Sequence, residues 1–182
     1  MGEASTEKQP IFSADAGIHI SAAPFDVYAV ISDLPRSGEW SRECRGGAWI
    51  TGEPAAVGSV FRGDNVRATD VVGWAPVVRG EWTTHAEVVA AEPGRTFRWA
   101  MCDSAGRRQQ SVWGFDIAPA SSGGGSLLIH HFRMDSPTEG IRVIVSEMGP
   151  AEKERFFAEW GDKIADDLSA TLRRVKDVIE SA

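Results

Sequence analysis

The side chains best suited to move a proton in this 182-residue chain are few, and one imidazole stands out among them. In Ser126 to Met134 the run Leu127-Leu128-Ile129 is apolar on both faces, so strand parity has to be decided by its charged members. Turning Leu128, His130, Phe132 and Met134 inward leaves His131 and Arg133 in water and avoids burying a guanidinium. His130 then faces the interior. Imidazole ordinarily changes charge near neutral pH and can serve as general acid and base. The same residue also reads as a hydrogen-bonded core side chain. Asn65, at the end of a strand after Gly58, places an amide that both donates and accepts beside that interior, with Phe61 and Gly63 on its face. Glu43 and Asp64 are carboxylates that could assist, and both read more simply as surface charges.

Seven tryptophans against one tyrosine mark the composition. An indole combines a large apolar face with one N–H that wants a partner, so it suits a wall between core and ligand. Parity brings Trp82 inward from Gly80 to Ala91, Trp99 from Thr96 to Cys102, and Trp113 from Arg108 to Ile117, so that three indoles share one wall. They read equally as a stacking surface for a flat ligand and as filling for a large core. No metal site is indicated, because Cys44 and Cys102 are isolated and no His, Cys or carboxylate set has ligand spacing. The chain also lacks a phosphate-binding glycine loop, a Gly-x-Ser-x-Gly elbow and a dinucleotide fingerprint, which removes most support for kinase, hydrolase and dehydrogenase readings.

These side chains need a frame, and the longest element supplies it. From Phe156, the residues Trp160, Ile164, Leu168, Leu172, Val175 and Ile179 continue one stripe at helical spacing, with charges opposite. Pro150 and Glu152 signal a helix start near residue 150. A rod of roughly 45 Å needs a sheet to lie in. Gly161 interrupts it, either tolerated or marking a close approach. Upstream, Gly17 to Ser21 reads as a strand, Pro24 to Ile31 as a short helix, and Arg36 to Trp40 as a second helical turn. Six further strands follow, at Ala48 to Thr51, Ser59 to Asn65, Gly80 to Ala91, Thr96 to Cys102, Arg108 to Ile117 and Ser126 to Met134. Connections this short require antiparallel pairing. The fold class is therefore α+β: a curved antiparallel sheet of about seven strands around a long C-terminal helix, with two short helices after the first strand. Residues 1–15 read as a flexible tail and 16–182 as one domain.

A net charge of −7 with no Lys/Arg cluster argues against nucleic acid, and no stretch reaches the length of a membrane span. With no apolar export signal at its start, the chain reads as cytoplasmic. A homodimer stays open.

The order of elements, together with Ala22-Ala23-Pro24, Ile31-Ser32-Asp33, Glu39-Trp40-Ser41-Arg42-Glu43, Gly58 through Asn65 and Ala91 through Phe97, resembles the START-like or Bet v 1-like superfamily. Within it the chain is similar to the polyketide cyclase/dehydrase and lipid transport group (SRPBCC). The resemblance runs from about Ile18 to Ile179 and implies a helix-grip fold around an internal cavity. Members include cyclases and carriers, so it implies either cofactor-free cyclisation or dehydration of a hydrophobic, aromatic or polyketide-derived molecule, or carriage of a lipid-like one. On that reading His130 and Asn65 are the catalytic candidates. Trp82, Trp99, Trp113, Phe61, Met134, Phe156 and Trp160 form the binding wall. Val66 to Arg79 is longer than the family's turn at that point and reads as a lid or an enlarged hairpin.

Overall fold

The computed structural model describes residues 9–182 except Ser122. Seven strands form one antiparallel sheet: β1 (Phe12–Ile20), β2 (Cys44–Thr51), β3 (Val60–Arg67), β4 (Gly80–Glu92), β5 (Thr96–Cys102), β6 (Arg108–Pro119) and β7 (Ser126–Met134). Their spatial order is β1-β7-β6-β5-β4-β3-β2, so six strands run as a meander and the first closes on the last. The helix α1 (Pro24–Ile31) and a 3-10 helix (Leu34–Glu39) carry the chain from one sheet edge to the other. The helix-grip α+β architecture is the one expected, and the bounds of β5 and β7 coincide with the sequence reading.

The largest differences are two strand starts and one added helix. β1 begins at Phe12, inside the stretch read as tail, because Phe12, Ala14 and Ala16 pack inward and the strand pairs with β7 from Phe12↔Met134 onward. Residues 1–8 of that tail lie outside the described residues. β2 starts at Cys44, four residues early. Gly46, at φ 115°, lies so close to the 3-10 helix that a Cβ there would sit 2.5 Å from the Pro35 carbonyl oxygen. A short helix absent from the sequence reading, α2 (Glu139–Val145), follows β7 and is capped by Thr138, whose Oγ1 accepts from the Ile141 N–H.

The long helix α3 (Pro150–Glu180) starts where Pro150 and Glu152 indicated, with the Glu152 carboxylate accepting from the Gly149 N–H at 2.9 Å. Its buried stripe of Phe156, Trp160, Ile164, Leu168, Leu172 and Val175 lies across the concave face of the sheet. Gly161 marks a close approach: a Cβ there would meet the Phe12 ring at 2.6 Å. Two apolar clusters form along α3. One gathers Ile20, Val27, Ile31, Phe97, Phe115, Leu128, Leu172 and Val175 near α1. The other gathers Ala75, Val77, Phe132, Met134, Ile141, Phe156 and Trp160 near α2 and the β3–β4 connection. Neither fills the middle of the sheet.

Candidate functional site

Between the two clusters lies a cavity of about 540 Å³, within the range of small-molecule sites. Its sheet wall includes Phe61, Asn65, Trp82, Trp99, Trp113, His130 and Met134, and its helix wall includes Trp160 and Ile164. The parity argument therefore brings eight of the nine sequence-chosen side chains to one hollow. Phe156 is the exception. It is fully buried and stacked on Trp160, ring centroids 5.7 Å apart, so it backs that wall without reaching the cavity.

His130 sits at the centre of an aromatic group. Its ring stacks on Phe115 at 4.0 Å, with Trp113 at 6.0 Å and Trp99 at 6.5 Å. Nδ1 lies 2.8 Å from the Gly114 carbonyl oxygen, and since a carbonyl can only accept, Nδ1 carries the hydrogen. That leaves Nε2 as a lone-pair acceptor, and the Nδ1 contact is the one hydrogen bond of this ring among the described residues. Burial pushes the pKa down to about 3, against the smaller opposing effect of the Gly114 hydrogen bond. The expectation of a charge change near neutral pH is therefore corrected: this imidazole is neutral there.

Asn65 is also more committed than expected. Its Nδ2 donates toward the Gly63 carbonyl, Thr84 Oγ1 and the Trp82 carbonyl at 3.0, 3.1 and 3.4 Å, tying β3 to β4. Only its Oδ1 is left to meet a ligand. Trp82 and Trp99 do not stand side by side: Trp99 pairs with Trp113 across β5 and β6, whereas Trp82 pairs with Asn65 at the far side of the sheet.

Glu43 is no surface charge. It lines the cavity and accepts from Arg67 Nε at 2.8 Å, Arg67 Nη2 at 3.0 Å and Lys163 Nζ at 2.8 Å. Burial opposes ionisation, yet the Arg67 hydrogen bonds and the charge and hydrogen bond of Lys163 outweigh it, so its carboxyl lies below the usual range. Lys163 also reaches Asp167 at 2.6 Å, and Arg42 reaches the other Asp167 oxygen at 3.3 Å. The Arg67 guanidinium lies over Trp82 at 4.3 Å and Trp160 at 5.0 Å. Sequence reasoning missed Arg67 and Lys163. A basic residue on the cavity end of β3 and one a single turn below Trp160 was the available signal. Asp64 is exposed beside Arg62, as expected of a surface charge.

The segment Val66 to Arg79 borders the hollow through Arg67 and Val78. It continues β3 through Arg67 and then folds back around Arg79, whose guanidinium donates to the carbonyls of Thr69, Val71, Val72, Ala75 and Val77. Trp74 donates to Glu159 on α3 at 2.7 Å, and Ala75 and Val77 are buried. α2 also lines the hollow, and its Glu139 accepts from the backbone and hydroxyl of Ser104. Among the described residues no group of three or more His, Cys, Asp or Glu could hold a metal ion, and no helix is long and apolar enough to cross a membrane.

Residues 12–180 match the family described as polyketide cyclase / dehydrase and lipid transport. The chain belongs to this family. No curated protein matches it. Among solved structures it is similar to the Polyketide_cyc-like protein Cgl2372 of Corynebacterium glutamicum, with 27% identity over 95% of this chain and 96% of that one and a TM-score of 0.58. It also shares the fold of the di-domain ARO/CYC StfQ from the steffimycin biosynthetic pathway, at 12% identity and TM-score 0.63. That alignment covers 93% of this chain and 50% of the di-domain protein. SA2116 of Staphylococcus aureus, of unknown function, has the same fold at 10% identity and TM-score 0.65 over 93% of each chain.

Proposed function

We propose that this family member encloses a hydrophobic, aromatic or polyketide-derived molecule in the cavity and promotes its cyclisation and dehydration without a cofactor. The observation that carries the reading is the free Nε2 of a neutral, buried His130 flanked by Trp99 and Trp113. A flexible poly-β-ketone held between indole faces loses most of its conformers before reaction, which lowers the barrier to ring closure without a nucleophile on the protein. His130 Nε2 accepts the hydrogen bond of an enol. As the enol carbon bonds to a ketone carbon, the enol proton passes to Nε2 and the ketone oxygen becomes a hydroxyl by taking a proton from water. An imidazolium in this site is a strong acid, so it returns its proton as the hydroxyl leaves as water. The carbon-bound hydrogen lost in that elimination replaces the proton drawn from solvent, so the overall change is one new C–C bond and one water released. Asn65 Oδ1 orients a second hydroxyl.

A carrier role is the second reading, and the occupied donors of Asn65 favour it, since they leave that amide only its Oδ1 for chemistry. The two are separated by incubating wild type and His130→Gln with a linear poly-β-ketone thioester and following aromatic product by absorbance, with binding measured separately by tryptophan quenching. The cyclase reading expects product formation to fall about 100-fold in the variant while binding persists. Equal product formation in both proteins removes His130 from the chemistry. No product above the uncatalysed rate, with binding intact, leaves the carrier.

A further inference from the structure

The ion cluster at the cavity wall is unbalanced. Arg42, Arg67 and Lys163 face two carboxylates, Glu43 and Asp167, and all five side chains line the hollow. Except for Arg42 these side chains are mostly shielded, between 10% and 21% exposed, so their two cations and two carboxylates hold one another with little screening and the surplus positive charge rests on the half-exposed Arg42. Arg67 is largely committed: three of its five N–H bonds are used, Nε and Nη2 on Glu43 and Nη1 on the Val78 carbonyl, and its guanidinium lies over two indoles. Lys163 has three N–H bonds and two carboxylate partners, which leaves one hydrogen. Arg42 contributes one nitrogen to Asp167 and is half exposed. Because Lys163 and Arg42 grip the two oxygens of the same carboxylate, both lie within reach of a second carboxylate arriving from the cavity. Asp103 and Glu139 also line the hollow, with the Arg107 partner of Asp103 turned to solvent.

We infer that the ligand carries an anionic group, a carboxylate, and binds with that group at Lys163 and Arg42 and its apolar body against the indoles. The inference rests on the cavity being a ligand site and adds the class of ligand. An uncharged ketone or lipid chain makes no use of the surplus cation. A carboxylate beside Asp103 and Glu139 is repelled.

The test compares naphthalene-2-carboxylate with 2-naphthamide, which share the ring and differ in charge, by titration calorimetry on the full chain. Wild type is expected to bind the carboxylate about 10-fold more tightly, and Arg42→Gln combined with Lys163→Met to bring the ratio of the two affinities to about one. Lys163→Arg is expected to keep the preference. Should the double variant not fold, raising NaCl from about 50 to 500 mM on wild type is expected to weaken the carboxylate several-fold and leave the amide unmoved. Equal wild-type affinities, or a preference untouched by both the double variant and salt, overturn the anionic ligand while leaving the cavity reading standing. Binding of neither compound overturns both.

Discussion

Phe115 and His130 lie face to face, ring centroids 4.0 Å apart and planes 13° from parallel, on neighbouring strands whose register pairs the two residues directly. An apolar face on one side and a carbonyl acceptor at Nδ1 hold the imidazole in one orientation and one tautomer. Burial among these rings explains why its proton affinity is low: a cation there has little water to solvate it.

The unfolded chain takes up this proton near pH 6.5, whereas the folded chain resists it to about 3, so the native state forfeits stability as pH falls from 6.5 toward 3. Each pH unit in that window costs about 1.4 kcal/mol at most. Urea unfolding at pH 7.5 and pH 5 is expected to show a loss of about 2 kcal/mol in wild type and a smaller one in His130→Gln. His131, whose pKa burial also lowers, supplies the remainder.

Replacing Glu43 by Gln removes the shared carboxylate of Arg67 and Lys163 and leaves two shielded cations crowding each other. A loss of about 2 kcal/mol is expected by urea unfolding at neutral pH, less than for a fully dry pair because these side chains keep some water.

Gly161→Ala sets two effects against each other. Helix propensity gains about 1 kcal/mol, but the new methyl would lie 2.6 Å from the Phe12 ring, and overpacking costs about 1–3 kcal/mol. Net destabilisation is expected from thermal unfolding. Adding Phe12→Leu makes room and is expected to recover part of the loss, a coupling that a double-mutant cycle reads directly.

Arg79→Met strips five carbonyls of the β3–β4 connection of their shared donor. Amide exchange at residues 69–78 is expected to quicken by about 10-fold or more, while that of β7 stays unchanged. Uniform quickening through the whole sheet would show instead that the connection and the core open together.

Alternation and turn chemistry are local, and they made most of the frame readable: β5, β7 and α3 fall where apolar period and Pro or Gly punctuation put them. Parity then sufficed to aim Trp82, Trp99, Trp113 and His130 inward, because one wrong choice would have buried Arg133 or Arg98. What stayed hidden depends on distant partners. Glu43 looks like any exposed carboxylate until Arg67, 24 residues on, and Lys163 of α3 are brought to it. The neutrality of His130 follows from burial against rings of two neighbouring strands, which spacing along the chain does not encode. α2 was missed because seven residues with a glycine in the first turn carry too little period to recognise.

The pairing of β1 with β7 and the seating of Gly161 over Phe12 have a temporal meaning. The strand made first by the ribosome finds its sheet partner only after more than a hundred further residues, and its helical cover only when the final segment emerges. Until then the indole-lined hollow stands open to whatever greasy surface is near, so a nascent or truncated chain lacking α3 is the form in which this protein would need a chaperone.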